Sequence, residues 1–183
     1  MNRTLPAALA MVLAFALEPE ALRGQAVQSF VGGGGGMVSP TGTLGAEANV
    51  GWHLFATGGR TLKGSLGVTI DALYGRMTHK NGVPGKTALG GSTANLALFL
   101  SGRSIWPFVT AGLGAYAVTI QVPGFGSARS TKLALGGGVG VLIGSGPRRG
   151  FVTARYISVA TSPQSTKFLP VSAGLVLSTG RGP

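Results

Sequence analysis

Polar and apolar side chains alternate along most of the chain with a period of two residues. Between Thr43 and Ala56 the even positions carry Leu, Ala, Val or Trp, and the odd positions carry mostly polar or small residues. Residues 61–76 and 87–101 repeat this alternation, which is typical of β-strands that separate two environments. Softer alternation, rich in glycine and alanine, marks five further segments. The pattern predicts eight strands, at residues 27–36, 43–56, 61–76, 87–101, 105–120, 132–144, 150–160 and 167–179.

The connections between these strands alternate in length. Short glycine-containing turns are predicted at residues 57–60, 101–104 and 145–149, and longer loops at residues 36–42, 77–86, 121–130 and 161–166. Barrels of the bacterial outer membrane have short turns at one end and longer loops at the other. An even number of strands with this alternation predicts an all-β fold, an eight-stranded antiparallel up-and-down transmembrane β-barrel.

The composition of the two strand faces indicates which of them meets lipid. The polar faces carry Thr, Ser, Asn, His and Gly with few charges, which suits the narrow interior of a small barrel better than a surface in water. The apolar faces would then contact lipid, and closure would leave no unpaired strand edge in the bilayer. Two alternatives stay open from the residues alone: a narrow pore for small solutes, and a soluble lipocalin-like barrel that binds an apolar ligand inside.

Composition and the first residues narrow the class further. With 33 glycines among 183 residues, no cysteine, and 10% charged residues, the chain is not disordered, disulfide-stabilised or a helical bundle. Arg3, the apolar run Leu5–Leu17 and the small residues up to Ala26 have the layout of a secretory signal peptide. We therefore expect a cleaved signal peptide at residues 1–26, a barrel in the bacterial outer membrane at residues 27–179, and a short tail at residues 180–183.

Three segments carry a family resemblance. Pro107–Gly114 (PFVTAGLG), Phe151–Tyr156 (FVTARY) and Leu169–Leu175 (LPVSAGL) are similar to strands of the small outer-membrane β-barrel proteins of the OmpA/OmpX kind. The resemblance implies an eight-stranded barrel that the barrel-insertion machinery assembles in the outer membrane. The closing strand of that family ends on an aromatic residue, whereas here Leu177 precedes Ser, Thr and Gly. The candidates for aromatic girdles are Trp52, Tyr74, Trp106, Phe108 and Phe151.

The predicted barrel contains two acidic residues, Glu47 and Asp71, and both fall on interior faces of neighbouring strands. Two carboxylates in a confined space of low dielectric constant repel each other unless a cation neutralises them, and we expect Arg155 to do so. The prediction is a salt-bridge and hydrogen-bond network that fills the lumen; acting as a gate, the same network would let small ions leak. Around Glu47, Asp71 and Arg155, its further predicted members are Lys63, Lys132, Asn49, His53, Thr69 and Asn95.

The remaining charge indicates a membrane surface rather than a reaction. The formal net charge is +11, but the basic residues are spread along the chain without interleaved aromatics, so no nucleic-acid partner is expected. Basic side chains at both rims would meet phosphates of outer-membrane lipids and lipopolysaccharide. His53 and His79 are the only histidines, and without cysteine or a nucleophile motif they predict no enzyme, no metal site and no cofactor. We expect a monomer with a structural or surface role.

Overall fold

The computed structural model describes residues 28–62, 65–80, 85–102, 104–124, 126–161 and 165–179. Within these ranges the strands are β1 (Ser29–Thr41), β2 (Gly51–Thr61), β3 (Leu66–Thr78), β4 (Lys86–Phe99), β5 (Ile105–Val122), β6 (Gly126–Ile143), β7 (Arg148–Val159) and β8 (Thr166–Thr179), and a short helix, α1, is Thr43–Glu47. No helix in the described part is long and apolar enough to cross a membrane. The predicted signal peptide at residues 1–26, the tail at residues 180–183 and Lys63 lie outside the described residues.

The strands close into one barrel in which each strand is antiparallel to its sequence neighbours. β1 also pairs with β8, where Ser29 lies opposite Thr179 and Thr41 lies opposite Lys167. The predicted eight-stranded up-and-down architecture is therefore confirmed. We call the end of the barrel that holds residues 29 and 179 the near end, and the opposite end the far end. The strands β2, β4 and β6 end at the near end, and the strands β1, β3, β5 and β7 end at the far end.

The period-two alternation divides the barrel wall into an interior and an exterior face. On β4, Asn95 is 4% exposed and faces the interior, whereas its neighbour Leu96 is 62% exposed and faces outward. On β6, Ala134 is 2% exposed and Leu135 is 68% exposed. A continuous exterior of large apolar side chains is suited to lipid and unfavourable in water. The soluble lipocalin-like alternative requires the apolar faces inside, and the structure contradicts it.

The first half of the predicted strand at residues 43–56 is wrong. β1 continues to Thr41, Gly42 turns the chain with a φ of 61°, and α1 follows. Leu44 packs against buried apolar side chains inside the barrel, and Ala48 is 1% exposed. These residues are apolar because they cover the far end of the lumen, not because they face lipid. Their short alternation with small residues is compatible with either a strand or one helical turn.

Three predicted connections are also wrong. The loop expected at residues 36–42 lies mostly within β1, which continues to Thr41. The turn expected at residues 57–60 lies within β2, whose pairing with β3 continues to Thr61. The long loop expected at residues 121–130 is mostly strand, because β5 and β6 pair as far as Val122 and Gly126. Glycine indicated a turn at residues 57–60, yet in this barrel glycine is common within strands as well. By contrast, β4, β7 and β8 lie within two residues of their predicted bounds.

Side chains occupy the interior in three successive regions. Buried apolar residues fill the far half, a hydrogen-bonded polar group crosses the middle, and open space lined by aromatic rings lies towards the near end. We call these regions the far cluster, the polar layer and the near cavity. The far cluster consists of Val38, Ala48, Leu73, Met77, Leu89, Tyr116, Val118, Ala134, Ile157, Val159 and Phe168.

Candidate functional site

An ion pair crosses the lumen near the middle of the barrel. Asp71 projects from β3 and Arg155 from β7, and Nη1 of Arg155 donates to Oδ2 of Asp71 at 2.5 Å. Only 5% of Asp71 and 3% of Arg155 is exposed. An unpaired charge at such a site is strongly unfavourable, so each of these side chains depends on the other.

Hydrogen bonds extend this pair into the polar layer. Nη2 of Arg155 donates to Oδ1 of Asn95 at 2.8 Å and to Oγ1 of Thr93 at 3.2 Å. Nδ2 of Asn95 donates to Oδ2 of Asp71 at 2.8 Å, and the Thr57 hydroxyl donates to Oδ1 of Asp71 at 2.6 Å. Nδ2 of Asn95 also donates to the hydroxyl of Thr69 at 3.2 Å. The polar layer therefore joins β2, β3, β4 and β7 and consists of Thr57, Thr69, Asp71, Thr93, Asn95 and Arg155.

Glycines in the wall make room for the two largest polar side chains. Gly138 of β6 pairs with Arg155, and a Cβ at Gly138 would lie 2.6 Å from Cγ of Arg155. Gly112 of β5 pairs with Asn95, and a Cβ there would collide with the Asn95 amide oxygen. A strand glycine of this kind marks a close approach of another group. The high glycine content thus lets a narrow barrel hold a guanidinium and an amide inside.

Several residues predicted for the network lie elsewhere. Glu47 is exposed at the far end, because the segment that carries it forms α1 instead of a strand. Asn49 is exposed as well, and its Nδ2 donates to the carbonyl oxygen of His79 at 3.1 Å. Lys132 has the interior parity of β6, but its part of the strand extends beyond the pairing with β7, so the side chain is exposed.

His53 lies inside the barrel but outside the polar layer. Its Nε2 is 2.7 Å from the hydroxyl oxygen of Ser172, and both residues are buried. A catalytic Ser–His pair needs an acid that orients the histidine and a path for the substrate. Among the described residues, however, the acidic side chains are Asp71, bound in the polar layer, and Glu47, exposed at the far end. In the same ranges, no three His, Cys, Asp or Glu side chains cluster as metal ligands.

α1 is fastened over the far cluster. The backbone N–H of Lys80 donates to the carbonyl oxygen of Glu47 at 2.8 Å, and the Lys80 ammonium donates to the carbonyl oxygen of Gly45 at 2.5 Å. Leu44 of α1 packs against the far cluster. The far end of the lumen is consequently filled with apolar side chains and covered by a hydrogen-bonded lid of backbone.

The near cavity has a volume of about 590 Å³. Members of the polar layer form its floor, because Thr57, Thr69, Asp71 and Arg155 line it. Its mouth includes Arg149, whose guanidinium lies 5.0 Å from the centre of the Trp106 ring. The aromatic residues of its walls are Phe30, Phe55, Phe99, Trp106, Phe108 and Phe151.

Three of the residues proposed for the aromatic girdles belong to this cavity instead. Trp106 and Phe108 lie on the interior parity of β5, and Phe151 is 4% exposed on β7. Trp52 and Tyr74 do face outward, at 48% and 38% exposure, with ring centres 5.9 Å apart. The aromatic residues thus serve two environments, the membrane and the near cavity.

Three interior residues that contact predicted members of the network are absent from the prediction. Thr57 falls in a predicted turn, Thr93 has a predicted interior position but no predicted place in the network, and Ser172 has no predicted role. Strand parity contains the missing signal for Thr57, because it has the same odd parity on β2 as the interior residue His53. For Ser172 no sequence signal exists, since its partner is far away in the chain.

No protein-family model and no curated protein sequence matches the chain. Solved structures do match. Neisserial surface protein A is 18% identical with a TM-score of 0.68, and the match covers 81% of this chain and 96% of that one. The outer membrane protein OprG from Pseudomonas aeruginosa is 14% identical with a TM-score of 0.62, over 85% of this chain and 97% of OprG. Ail, the attachment invasion locus protein of Yersinia pestis, is 15% identical with a TM-score of 0.52, over 84% and 100%.

These likenesses concern the fold. They confirm the resemblance to small eight-stranded outer-membrane barrels, and they agree with the outer-membrane location predicted from the sequence. The chain is an outer-membrane-type β-barrel with an apolar exterior and a filled far half of the lumen.

Proposed function

We propose that this protein is a structural, non-catalytic barrel of the bacterial outer membrane whose lumen does not conduct. The observation that carries the proposal is that two different barriers lie in series inside the barrel. An ion that crosses the lumen must first displace the Asp71–Arg155 pair and then pass the far cluster under α1. Eight strands enclose an interior just wide enough for side chains to fill, which supports a closed lumen on general grounds.

The polar layer alone is a weaker barrier than the two together. Asp71 and Arg155 can separate and bind a passing ion or water instead of each other, which would open a hydrated path for ions, as a gate does. The far cluster offers no such exchange, because an ion among its apolar side chains loses its hydration, and the buried polar side chains His53 and Ser172 are already bound to each other. The narrow-pore alternative therefore requires the far cluster and α1 to move apart, not only the Asp71–Arg155 pair.

The interior also supports the absence of catalysis. His53 and Ser172 are within hydrogen-bonding distance, but each has at most 2% of its surface exposed. Nucleophilic catalysis by such a pair needs a third, orienting group and an accessible carbonyl carbon. We assign to this pair the structural role of satisfying two buried polar groups.

We further propose that phosphate groups of lipopolysaccharide and other outer-membrane lipids are partners of the far rim, and that the barrel-insertion machinery assembles the barrel as a monomer. The far rim is basic, with Lys80, Lys86, Arg129, Lys132 and Lys167 against one exposed carboxylate, Glu47. Added lipopolysaccharide is expected to raise the temperature at which the folded barrel converts to the unfolded gel band. The Arg129→Gln/Lys132→Gln variant and high salt should reduce that increase. An increase that is the same in the wild type and in the Arg129→Gln/Lys132→Gln variant would contradict the assignment.

The test of the function begins with location and closure. Cells that express the full chain are fractionated, and the outer-membrane extract is run on a denaturing gel with and without boiling. We expect the chain in the outer-membrane fraction with a mobility that changes on boiling. The purified barrel is then placed in liposomes, whose swelling in small sugars and amino acids should equal that of empty liposomes.

The matched control opens the far half. A Tyr116→Ala/Phe168→Ala variant removes two rings of the far cluster whose centroids lie 5.5 Å apart. It is compared with the Leu96→Ala/Leu135→Ala variant, which truncates two exposed side chains on the exterior. Swelling of wild-type liposomes would contradict the closed lumen. Recovery of the chain from the soluble periplasm would contradict the membrane assignment.

A further inference from the structure

The near cavity is a space that the proposed structural role does not use. Its volume of about 590 Å³ lies within the range of small-molecule sites, about 300–1,000 Å³. The far half of the same lumen holds eleven packed apolar side chains, so narrowness of the barrel does not explain why the near half is open. The filled far half and the open near half differ because their interior residues differ, and this difference indicates a ligand in the near cavity.

The walls indicate an apolar occupant. Ring edges and faces surround the space, with Phe99 in contact with both Phe30 and Phe108 at centroid distances of 6.3 and 5.8 Å. Water against these rings finds few hydrogen-bond partners, and an apolar chain gains by replacing it there. A closed floor, formed by the polar layer, means that the occupant enters and leaves through the near end.

The mouth indicates the charge of the occupant. Arg149 lines the cavity, and of its five N–H donors only Nε has a protein acceptor among the described residues, the carbonyl oxygen of Gly146 at 3.2 Å. No acidic side chain of the described ranges competes for this guanidinium, because Asp71 is bound to Arg155 at the floor and Glu47 lies at the far end. A guanidinium in this position favours a carboxylate or a phosphate.

We propose that the near cavity binds a single-chain anionic amphiphile, with its apolar chain between the aromatic walls and its anionic head at Arg149. The shared chemistry belongs to free fatty acids and to anionic lysophospholipids, which differ in head group. This binding is separate from the closed-lumen function, since the ligand stays on the near side of the polar layer.

The two tryptophans of the chain allow a direct test. Trp106 lines the cavity, whereas Trp52 faces the lipid. In the Trp52→Phe variant, Trp106 reports the cavity, and in the Trp106→Phe variant, Trp52 reports fatty acid dissolved in the bilayer. Both variants are placed in phospholipid nanodiscs and titrated with bromine-labelled stearic acid and, in a second arm, with bromine-labelled lysophosphatidylglycerol. We expect saturable quenching of Trp106 by at least one of them, at concentrations where the quenching of Trp52 is still linear.

Thr110→Phe blocks the cavity, because Thr110 lines it and its Oγ1 is buried without a hydrogen-bond partner among the described residues. The matched control is Ala111→Phe, the next residue of β5, which faces outward. Ser178→Leu, at a second position of the cavity lining, repeats the test if Thr110→Phe fails to fold. Saturable quenching should disappear in the cavity variants and persist in Ala111→Phe.

Arg149→Gln tests the head group, with Arg148→Gln, the exposed neighbour, as its control. We expect Arg149→Gln to raise the half-saturating concentration of the acid about tenfold. A change of this size corresponds to the loss of one hydrogen bond between charged groups. The uncharged methyl ester should bind equally to both variants. Quenching of Trp106 that never saturates, or that Thr110→Phe leaves unchanged, would overturn the proposal; equal binding of acid and ester to the wild type would overturn its anionic part.

Discussion

The two halves of the lumen are built on the same strands and yet hold opposite interiors. Towards the far end, eleven buried apolar residues pack into one cluster. Towards the near end, aromatic rings stand around about 590 Å³ of open space. The Asp71–Arg155 pair separates the two. The comparison teaches that strand number fixes the width of a small barrel, whereas the interior residues decide which part of it is closed.

The largest effect is expected at the boundary between the halves. Arg155→Ala leaves Asp71 buried without its cation and should lower the free energy of unfolding by about 3–5 kcal/mol. Denaturant unfolding of the refolded barrel, followed by the gel band and by circular dichroism, measures the change. The control is Asp71→Asn/Arg155→Met, which removes both charges and should cost less. A double variant at least as unstable as Arg155→Ala would show that the pair is not coupled.

The same substitution in each half is expected to give different costs. Phe168→Ala, in the far cluster, leaves a cavity among packed side chains and should cost about 3–5 kcal/mol. Phe99→Ala only enlarges an existing space and should cost about 1 kcal/mol. Midpoints of unfolding at equal lipid composition compare the two variants. Equal costs would mean that the near cavity collapses or is already filled in the membrane.

The lid over the far half contributes less. Asn49→Ala removes the hydrogen bond from Nδ2 to the carbonyl oxygen of His79 and should lower the local stability of the lid, not that of the whole barrel, by about 0.5–1.5 kcal/mol. Protease sensitivity of the loops, measured on intact cells and on the refolded barrel, should rise with little change in the unfolding midpoint. Ser130→Ala, away from the lid, serves as the control and should leave the proteolysis pattern unchanged.

The smallest effect is expected at Glu47. Its carboxylate is exposed on α1 and takes no part in the polar layer, so Glu47→Gln should change stability by no more than about 0.5 kcal/mol. A double-variant cycle with Arg155→Ala should give additive costs. Coupling between the two positions would contradict this account and support the network predicted from the sequence, in which Glu47 lies inside the barrel.

Much of the fold was predictable because the wall of a barrel has a strict period. The interior positions of Thr93, Asn95 and Ala97 on β4 follow from parity alone, as does Asp71 on β3. Residues 43–50 were mispredicted, because an apolar segment that covers a lumen resembles one that faces lipid. Glycine misled at residues 57–60, since the same residue that opens a turn also makes room inside this barrel.

The candidate site was harder to predict than the fold. Parity places Arg155 and Asp71 on the interior, but only closure of the barrel brings β3 and β7 close enough for their side chains to pair. The near cavity has no counterpart in the sequence at all, because a space is defined by residues from many strands. Its aromatic walls are predicted as membrane girdles, because side chains such as Trp106 and Phe151 are equally compatible with a membrane interface and with the wall of an interior cavity.

Ion conductance of single barrels tests the closed lumen most directly. The refolded chain is inserted into planar lipid bilayers, and current is recorded across a range of voltages, with the Tyr116→Ala/Phe168→Ala variant recorded in parallel. A lumen sealed by the far cluster and the Asp71–Arg155 pair predicts no discrete current steps from the wild type and steps from the variant. Regular steps from the folded wild-type barrel, unchanged in the variant, would contradict it.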